Sequence, residues 1–406
     1  MARLRLLAPL LAAASLISAH EGADYKFSGN DVVNQIVENS VPAPNLPGGW
    51  YASERCVSGY CVYANPGASG GAGIAALTTA SSLEKLKVQE LQLGLADTTA
   101  IPNPRPYEVK DVPGKGKILV ATETIRRGTK LLSSSPSLIV HRNFFNETFP
   151  EKQDPLLELA VSLLPAATQS RIYEQMNPAE GVVTLKDVLE RLPFEANLGV
   201  VWVGKDGFDE EKHLLNYPDV APLSHNCRPN AAFHIDNNFV HQVSAVRKIQ
   251  PGEEISISYF NPFLPTAERQ EMIKRWLGKP CSCSACTQGG RLDQILVSDG
   301  RLEEIQAIES KLRDFDTRVT TGMLTRLVQL YQDEGLESRL ANMYGQVAIN
   351  YNSLGYQKRC VKYANLAVQA GLIEHGTGSN DVIAMRILAK ESMEHYSWRA
   401  RLKNKA

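Results

Sequence analysis

Apolar positions along the 406-residue chain fall into three successive regimes. From about residue 20 to 104 they are scattered and punctuated. Residues 42–49 hold three prolines and two glycines, and residues 67–73 are rich in Gly, Ala and Ser, a composition suited to turns and not to element interiors. This stretch therefore reads as loosely built. One amphipathic helix is predicted over about residues 81–95, with Leu83, Leu86, Leu91 and Leu95 on its inward face. Residues 101–106 form a stiff, proline-rich boundary. The second regime starts at Tyr107 with short β-rich runs at 118–121 and 138–140. Leucine spacing predicts helix over 150–195. Strand signals return at 199–203, 231–235 and 240–246, and residues 255–259 alternate as a half-buried strand would. In the third regime, beyond Cys286, only helical periodicity remains. The fold class is α+β.

Length at roughly 100–200 residues per domain predicts two or three domains. Their boundaries fall at residues 1–19, 20–104, 105–287 (with a helical insert at about 141–215) and 288–406. Charge is balanced at 43 Lys+Arg against 44 Asp+Glu, so the basic excess expected of a protein that binds nucleic acid directly is missing. The one long apolar run is N-terminal, which excludes a polytopic membrane protein. Arg3 and Arg5 precede apolar residues 6–16 and a small-residue cleavage site at Ala19, the pattern of a secretory signal peptide. An uncleaved anchor is the alternative. Cleavage would leave no membrane span and send the chain into the secretory pathway or outside the cell; an unused signal would leave it in nucleus or cytoplasm. Asn146-Glu-Thr148 is a glycosylation sequon that matters only on the secretory route. Cys56 and Cys61 read either as a local disulfide or as two free thiols.

Four stretches carry candidate chemistry. They are Gly114-Lys-Gly-Lys-Ile118, Ser224-His-Asn-Cys-Arg-Pro-Asn230, Gly252-Glu-Glu-Ile-Ser-Ile-Ser-Tyr259 and Cys281-Ser-Cys-Ser-Ala-Cys286. The first fits no Walker or Rossmann spacing and by itself could be a hairpin turn. His225 and Tyr259, taken singly, read as core residues. The cysteines are more specific, because three thiols in a C-x-C-x-x-C spacing suit a tetrahedral zinc site. Such a site needs a fourth ligand from a distant segment, and Cys227 is the candidate.

In this order the four stretches resemble the SET-domain protein lysine methyltransferases, over about residues 107–287. The resemblance is closest to the branch with SET and MYND domains and to fungal SET-domain proteins with an N-terminal signal. No second Cys/His cluster for a MYND finger is present. The resemblance implies that the loop at Lys115, Gly116 and Lys117 holds S-adenosylmethionine. It implies that Ser224, His225 and Asn230 belong to a pseudoknot beside the cofactor, and that Tyr259 is the catalytic tyrosine at the methyl-transfer channel. Structural zinc would be bound by Cys227, Cys281, Cys283 and Cys286. The implied partner is a protein substrate, histone or non-histone, offering a lysine. Phe233 and Phe260 could line the channel or simply pack in the core.

Three positions depart from the family pattern. Ile118 stands where the loop's second glycine is expected, Ser224 where the pseudoknot asparagine is expected, and Asn226 where serine is usual. The first two would weaken cofactor binding. They leave an alternative in which the domain is a catalytically weakened, zinc-stabilised scaffold that binds protein outside the cell. In the C-terminal third, residues 352–355, Tyr363, Ala364, Ala367, Ala370 and Gly371 resemble one tetratricopeptide-type helix pair, with a plain helical bundle as the alternative.

Overall fold

The computed structural model describes residues 44–93, 101–176, 182–191, 194–202, 208–315 and 318–403. The segment read as a signal peptide, Leu95 and the side chain of Leu91 lie outside them.

The chain begins with a hairpin of Tyr51–Val57 (β1) and Tyr60–Asn65 (β2), followed by Ile74–Thr78 (β3) and the helix Ala80–Leu93 (α1). Cys56 and Cys61 pair across the hairpin and are disulfide-bonded, the first of the two expectations. A second hairpin joins Tyr107–Val112 (β4) to Gly116–Ala121 (β5), then come Lys130–Ser134 (β6) and Leu138–His141 (β7). Helices Pro150–Ser162 (α2), Ala166–Tyr173 (α3) and Leu185–Arg191 (α4) precede Phe194–Trp202 (β8) and Phe208–Asn216 (β9).

Strands β1 to β3 correct the expectation of a loose segment before residue 104. Together with β7, β9 and β8 they build one six-stranded sheet in the order β1-β2-β3-β7-β9-β8, with β3 parallel to β7. All five residues of β3 are buried. Ile74 and Ala76 face one core while Ala75 and Leu77 face another, on the side covered by α2 to α4. A strand covered on both faces has no apolar–polar alternation to read. The insert expected to be helical is helical only to Arg191, because β8 and β9 complete the sheet. Strand β9 is hidden by its charges, which are matched in the core. Glu211 accepts from Ser82 and Lys85, and His213 bonds Thr78 Oγ1 at 2.8 Å.

The remaining strands form the centre of the site. Ser224–His225 (β10) runs parallel to Ser256–Ile257 (β13), while Ala231–Ile235 (β11), His241–Ala245 (β12) and β6 make a three-stranded antiparallel sheet. The half-buried strand expected at 255–259 is corrected. Ile255 to Ser258 are all at most 9% exposed, and only two residues keep strand pairing. The alternating serines find partners inside: Ser256 N–H donates to Asn230 Oδ1 at 2.9 Å, and Ser258 Oγ donates to the Phe260 carbonyl at 2.9 Å.

Helix Thr266–Leu277 (α5) leads to the cysteine segment. Beyond it lie Leu292–Arg313 (α6), Thr321–Asp333 (α7), Leu340–Ser353 (α8), Gln357–Glu374 (α9) and Asn380–Lys390 (α10), all helical as expected. The small residues of the tetratricopeptide-like pattern fall on α9, where Ala364, Ala367 and Ala370 are buried. No helix among the described residues is long and apolar enough to cross a membrane.

Candidate active site and metal centre

The strand–knot region gathers three of the four motifs at one point. Asn230 is 1% exposed and ties the knot. Its Nδ2 donates to the Glu254 carbonyl at 2.8 Å and to Glu253 Oε1 at 3.1 Å, while its Oδ1 receives the Ser256 N–H. Every one of these groups belongs to the protein, so Asn230 braces the segments around the site. It does not line the cleft described next, where sequence reasoning expected it.

That cleft, about 310 Å³, is walled by Lys115, Lys117 and Ile118 on one side and by Ser224, His225 and Asn226 on another, with Tyr259 at its end. Gly116 lies on the wall of an adjoining larger cleft of about 580 Å³, which shares Lys115, Lys117 and Tyr259 with the first. Gly116 has φ +75°, and nothing lies within 4 Å of where a β-carbon would sit. The glycine thus serves the hairpin's backbone and not a steric need. Lys115 pairs with Glu254 at 2.8 Å and Lys117 with Glu174 at 2.6 Å. Lys117 holds the exposed Glu174 carboxyl below the usual carboxylate range. Exposed pairs of this kind contribute only about 0–1 kcal/mol, so a ligand carboxylate could displace either acid at little cost. Sequence reasoning missed Glu174, Arg191 and Lys279 around the clefts, which come from three separate segments and carry no motif, and it quoted Glu254 within the Gly252–Tyr259 stretch without giving it a role.

Tyr259 is held from three directions. Its hydroxyl donates to the Leu223 carbonyl at 2.5 Å, its backbone N–H donates to His225 Nδ1 at 3.1 Å, and its ring lies 5.1 Å from the His225 ring. Tyr259 also lines a smaller cavity of about 180 Å³ together with Phe233 and Phe260, and with Arg339, Glu374 and His375 from the C-terminal region. Phe233 and Phe260 do line a cavity at Tyr259. Both also pack inward, since Phe233 stacks on His241 and Phe260 on His225. The far wall comes from the C-terminal helices. Gly376, at φ +80°, makes that approach possible, because a β-carbon there would lie 2.5 Å from His234 Nε2.

The four cysteines named in the sequence converge. One sulfur from each of Cys227, Cys281, Cys283 and Cys286 lies within 4.8 Å of all the others, with Cys227 and Cys286 3.4 Å apart. Cys227 arrives from the knot and the other three from the turn after α5. Two neighbours show that this cluster suits thiolates around a cation. His225 accepts the Tyr259 N–H at Nδ1, so its proton sits on Nε2, which faces Cys227 Sγ at 3.3 Å. Burial holds the imidazole pKa down to about 4, keeping it neutral. Arg269 is fully buried. Burial opposes its charge, yet the sulfurs of Cys227 and Cys286 hold its pKa above the ordinary value. Four thiolates around Zn²⁺ leave a double negative charge, and one buried guanidinium and one imidazole N–H are suited to offset it. The residues fit structural zinc, with no open position for catalysis.

Comparison with known proteins agrees with this geometry. A family model for the SET domain matches residues 116–260. N-lysine methyltransferase SMYD2-B of Danio rerio is 38% identical over 82 residues, 20% of this chain and 19% of that protein. SMYD2 of Homo sapiens is 37% identical over 82 residues, with the same two shares, and SMYD2-A of Danio rerio is 38% identical over 94 residues, 22% and 21%. The matched segment spans about a fifth of the length of these curated relatives. With the tyrosine and the cysteine cluster placed around the matched segment, the chain carries a SET domain over residues 116–260 and is similar there to protein lysine methyltransferases.

Proposed function

We propose that the chain is an S-adenosylmethionine-dependent protein lysine N-methyltransferase, acting on a histone or another protein. The observation that carries this reading is the position of Tyr259 on the walls of both the cleft beside Lys115 and Lys117 and the cavity behind it. A donor and an acceptor entering from the two sides would meet at its hydroxyl. The cofactor, when bound, supplies an electrophilic methyl group. Lys115 and Lys117 offer charge for a carboxylate, and Ser224 offers a hydroxyl. On the acceptor side a lysine stem would lie between Phe233 and Phe260. Apolar contact along the stem would favour the neutral amine that nucleophilic attack requires. The Tyr259 hydroxyl, anchored to the Leu223 carbonyl, orients the amine, and His225 holds the tyrosine backbone. Zinc at the four cysteines clamps the segment after α5 against the knot.

The same wall supports a second reading. Ile118 is 7% exposed and fills space beside the cleft, and Ser224 is shorter than asparagine and makes fewer hydrogen bonds. On that reading the domain binds protein without transferring methyl groups. For the compartment we propose the secretory pathway, resting on the Arg3/Arg5 and apolar 6–16 pattern and in keeping with the Cys56–Cys61 disulfide.

Calorimetry of S-adenosylmethionine binding to the zinc-loaded chain, followed by mass spectrometry of methyl transfer to lysine peptides, tests the proposal. Micromolar binding with transfer is expected. A folded, zinc-loaded chain that binds no cofactor would overturn the enzyme and leave the scaffold.

A further inference from the structure

We propose that Arg339 reads a carboxylate close to the acceptor lysine, so that substrates carry Asp or Glu within one or two residues of the target. This rests on the reading of the cavity behind Tyr259 as the acceptor side. The cavity has two chemically distinct ends. Phe233 and Phe260 make the end at Tyr259 apolar, whereas Arg339, Glu374 and His375 make the end toward the C-terminal helices polar.

Charge at the polar end is unevenly satisfied. Glu374 is buried, and both its carboxylate oxygens accept the Ala341 N–H, at 3.1 and 3.2 Å, so it is committed to the start of α8. His375 is kept toward its neutral form by burial. Arg339 is different. Its Nε is buried with no hydrogen-bond partner, and its charge lies near enough to Glu374 to draw that carboxyl down without taking up this donor. A permanently charged, planar fork with an unmet donor, set on a cavity wall, calls for an acceptor from outside. Carboxylate is the group that matches it with two parallel hydrogen bonds. With an acceptor lysine in the apolar end, the substrate backbone would cross the polar mouth. Extended chain advances about 3.3–3.6 Å per residue, so a side chain one or two positions away can reach a guanidinium there.

The experiment uses the full zinc-loaded chain and paired lysine peptides that differ only by Asp or Glu against Asn or Gln at positions flanking the lysine. Binding is read by fluorescence anisotropy and transfer by mass spectrometry. The expected result is at least tenfold tighter binding of the acidic peptides, appearing in KM and not in kcat where transfer occurs. Arg339→Gln should erase this preference while the chain stays folded and zinc-loaded, and Arg339→Glu should favour peptides flanked by Lys or Arg. Equal binding of acid and amide peptides, or a preference that survives Arg339→Gln, overturns the proposal. Absence of transfer with the preference intact would count against the methyltransferase reading and leave the Arg339 contact standing.

Discussion

His225 joins Tyr259 to the cysteine cluster: its Nδ1 accepts the Tyr259 backbone N–H at 3.1 Å while its Nε2 faces Cys227 Sγ at 3.3 Å. One neutral ring thereby sets the position of the tyrosine and the orientation of a metal ligand. Replacing it should disturb both. His225→Ala is expected to lower zinc affinity about 10–100-fold, the usual cost of losing a group that orients a ligand. Chelator competition measures this. Unchanged zinc affinity would make His225 a packing residue only.

Tyr259→Phe removes one hydroxyl donor, and with it the bond to the Leu223 carbonyl. A typical hydrogen bond contributes about 0.5–1.5 kcal/mol net, so the variant should fold with a slightly lower melting temperature. Methyl transfer should be lost while cofactor binding by calorimetry is retained. Undiminished turnover would remove the hydroxyl from the reaction.

Zinc removal should act beyond the four sulfurs. Arg228, next to Cys227, donates from Nε to the Glu334 carbonyl at 2.5 Å and pairs with the Glu334 carboxylate at 2.7 Å, which Ser298 and Arg301 also reach. The knot is thus pinned to the end of α7. Chelation, or Cys283→Ser, is expected to lower the melting temperature and to raise hydrogen exchange in α7 as well as around residues 281–286. Exchange confined to the cysteine segment would show that the Arg228–Glu334 contact carries no coupling.

Glu374 gives a signed dependence on pH. Burial pushes its carboxyl up to about 7, against the helping N–H of Ala341. A raised carboxyl pKa means the folded chain holds a proton that the unfolded chain has released. The contribution is therefore complete below the ordinary carboxylate range and is lost as pH rises through 7. Glu374→Gln keeps an acceptor for Ala341 and has no charge to bury. It should match wild type near pH 5 and be more stable at pH 8, by at most about 3 kcal/mol. Denaturant titrations at both pH values decide it, and equal gains at both would assign the effect to packing.

Ser224→Asn restores a longer side chain with more hydrogen-bonding groups on the cleft wall. One added bond is expected to tighten S-adenosylmethionine binding by up to about tenfold. No change would mean that the serine is not a weak point of the site.

The chemistry-bearing residues were legible in the sequence because each motif is local. Three cysteines within six residues, a histidine two residues before a fourth, and a tyrosine closing a Gly-Glu-Glu segment keep their meaning without a fold. The C-terminal helices were legible too, since α7 and α9 each bury one stripe. Tertiary structure decided the rest. Strand β3 pairs with β7, which starts 60 residues after β3 ends, and its burial on both faces erases any alternation. Strand β9 looks like surface until Ser82, Lys85 and Thr78 come round to meet Glu211 and His213. Asn230 reads as a site residue in the chain and becomes a brace once its partners surround it. Arg339 carries no motif and acquires its place only when the residue preceding α8 comes to share a cavity wall with Phe233 and Phe260. Local chemistry follows from residue type and spacing, whereas burial and charge matching depend on contacts between distant segments, which only the folded chain supplies.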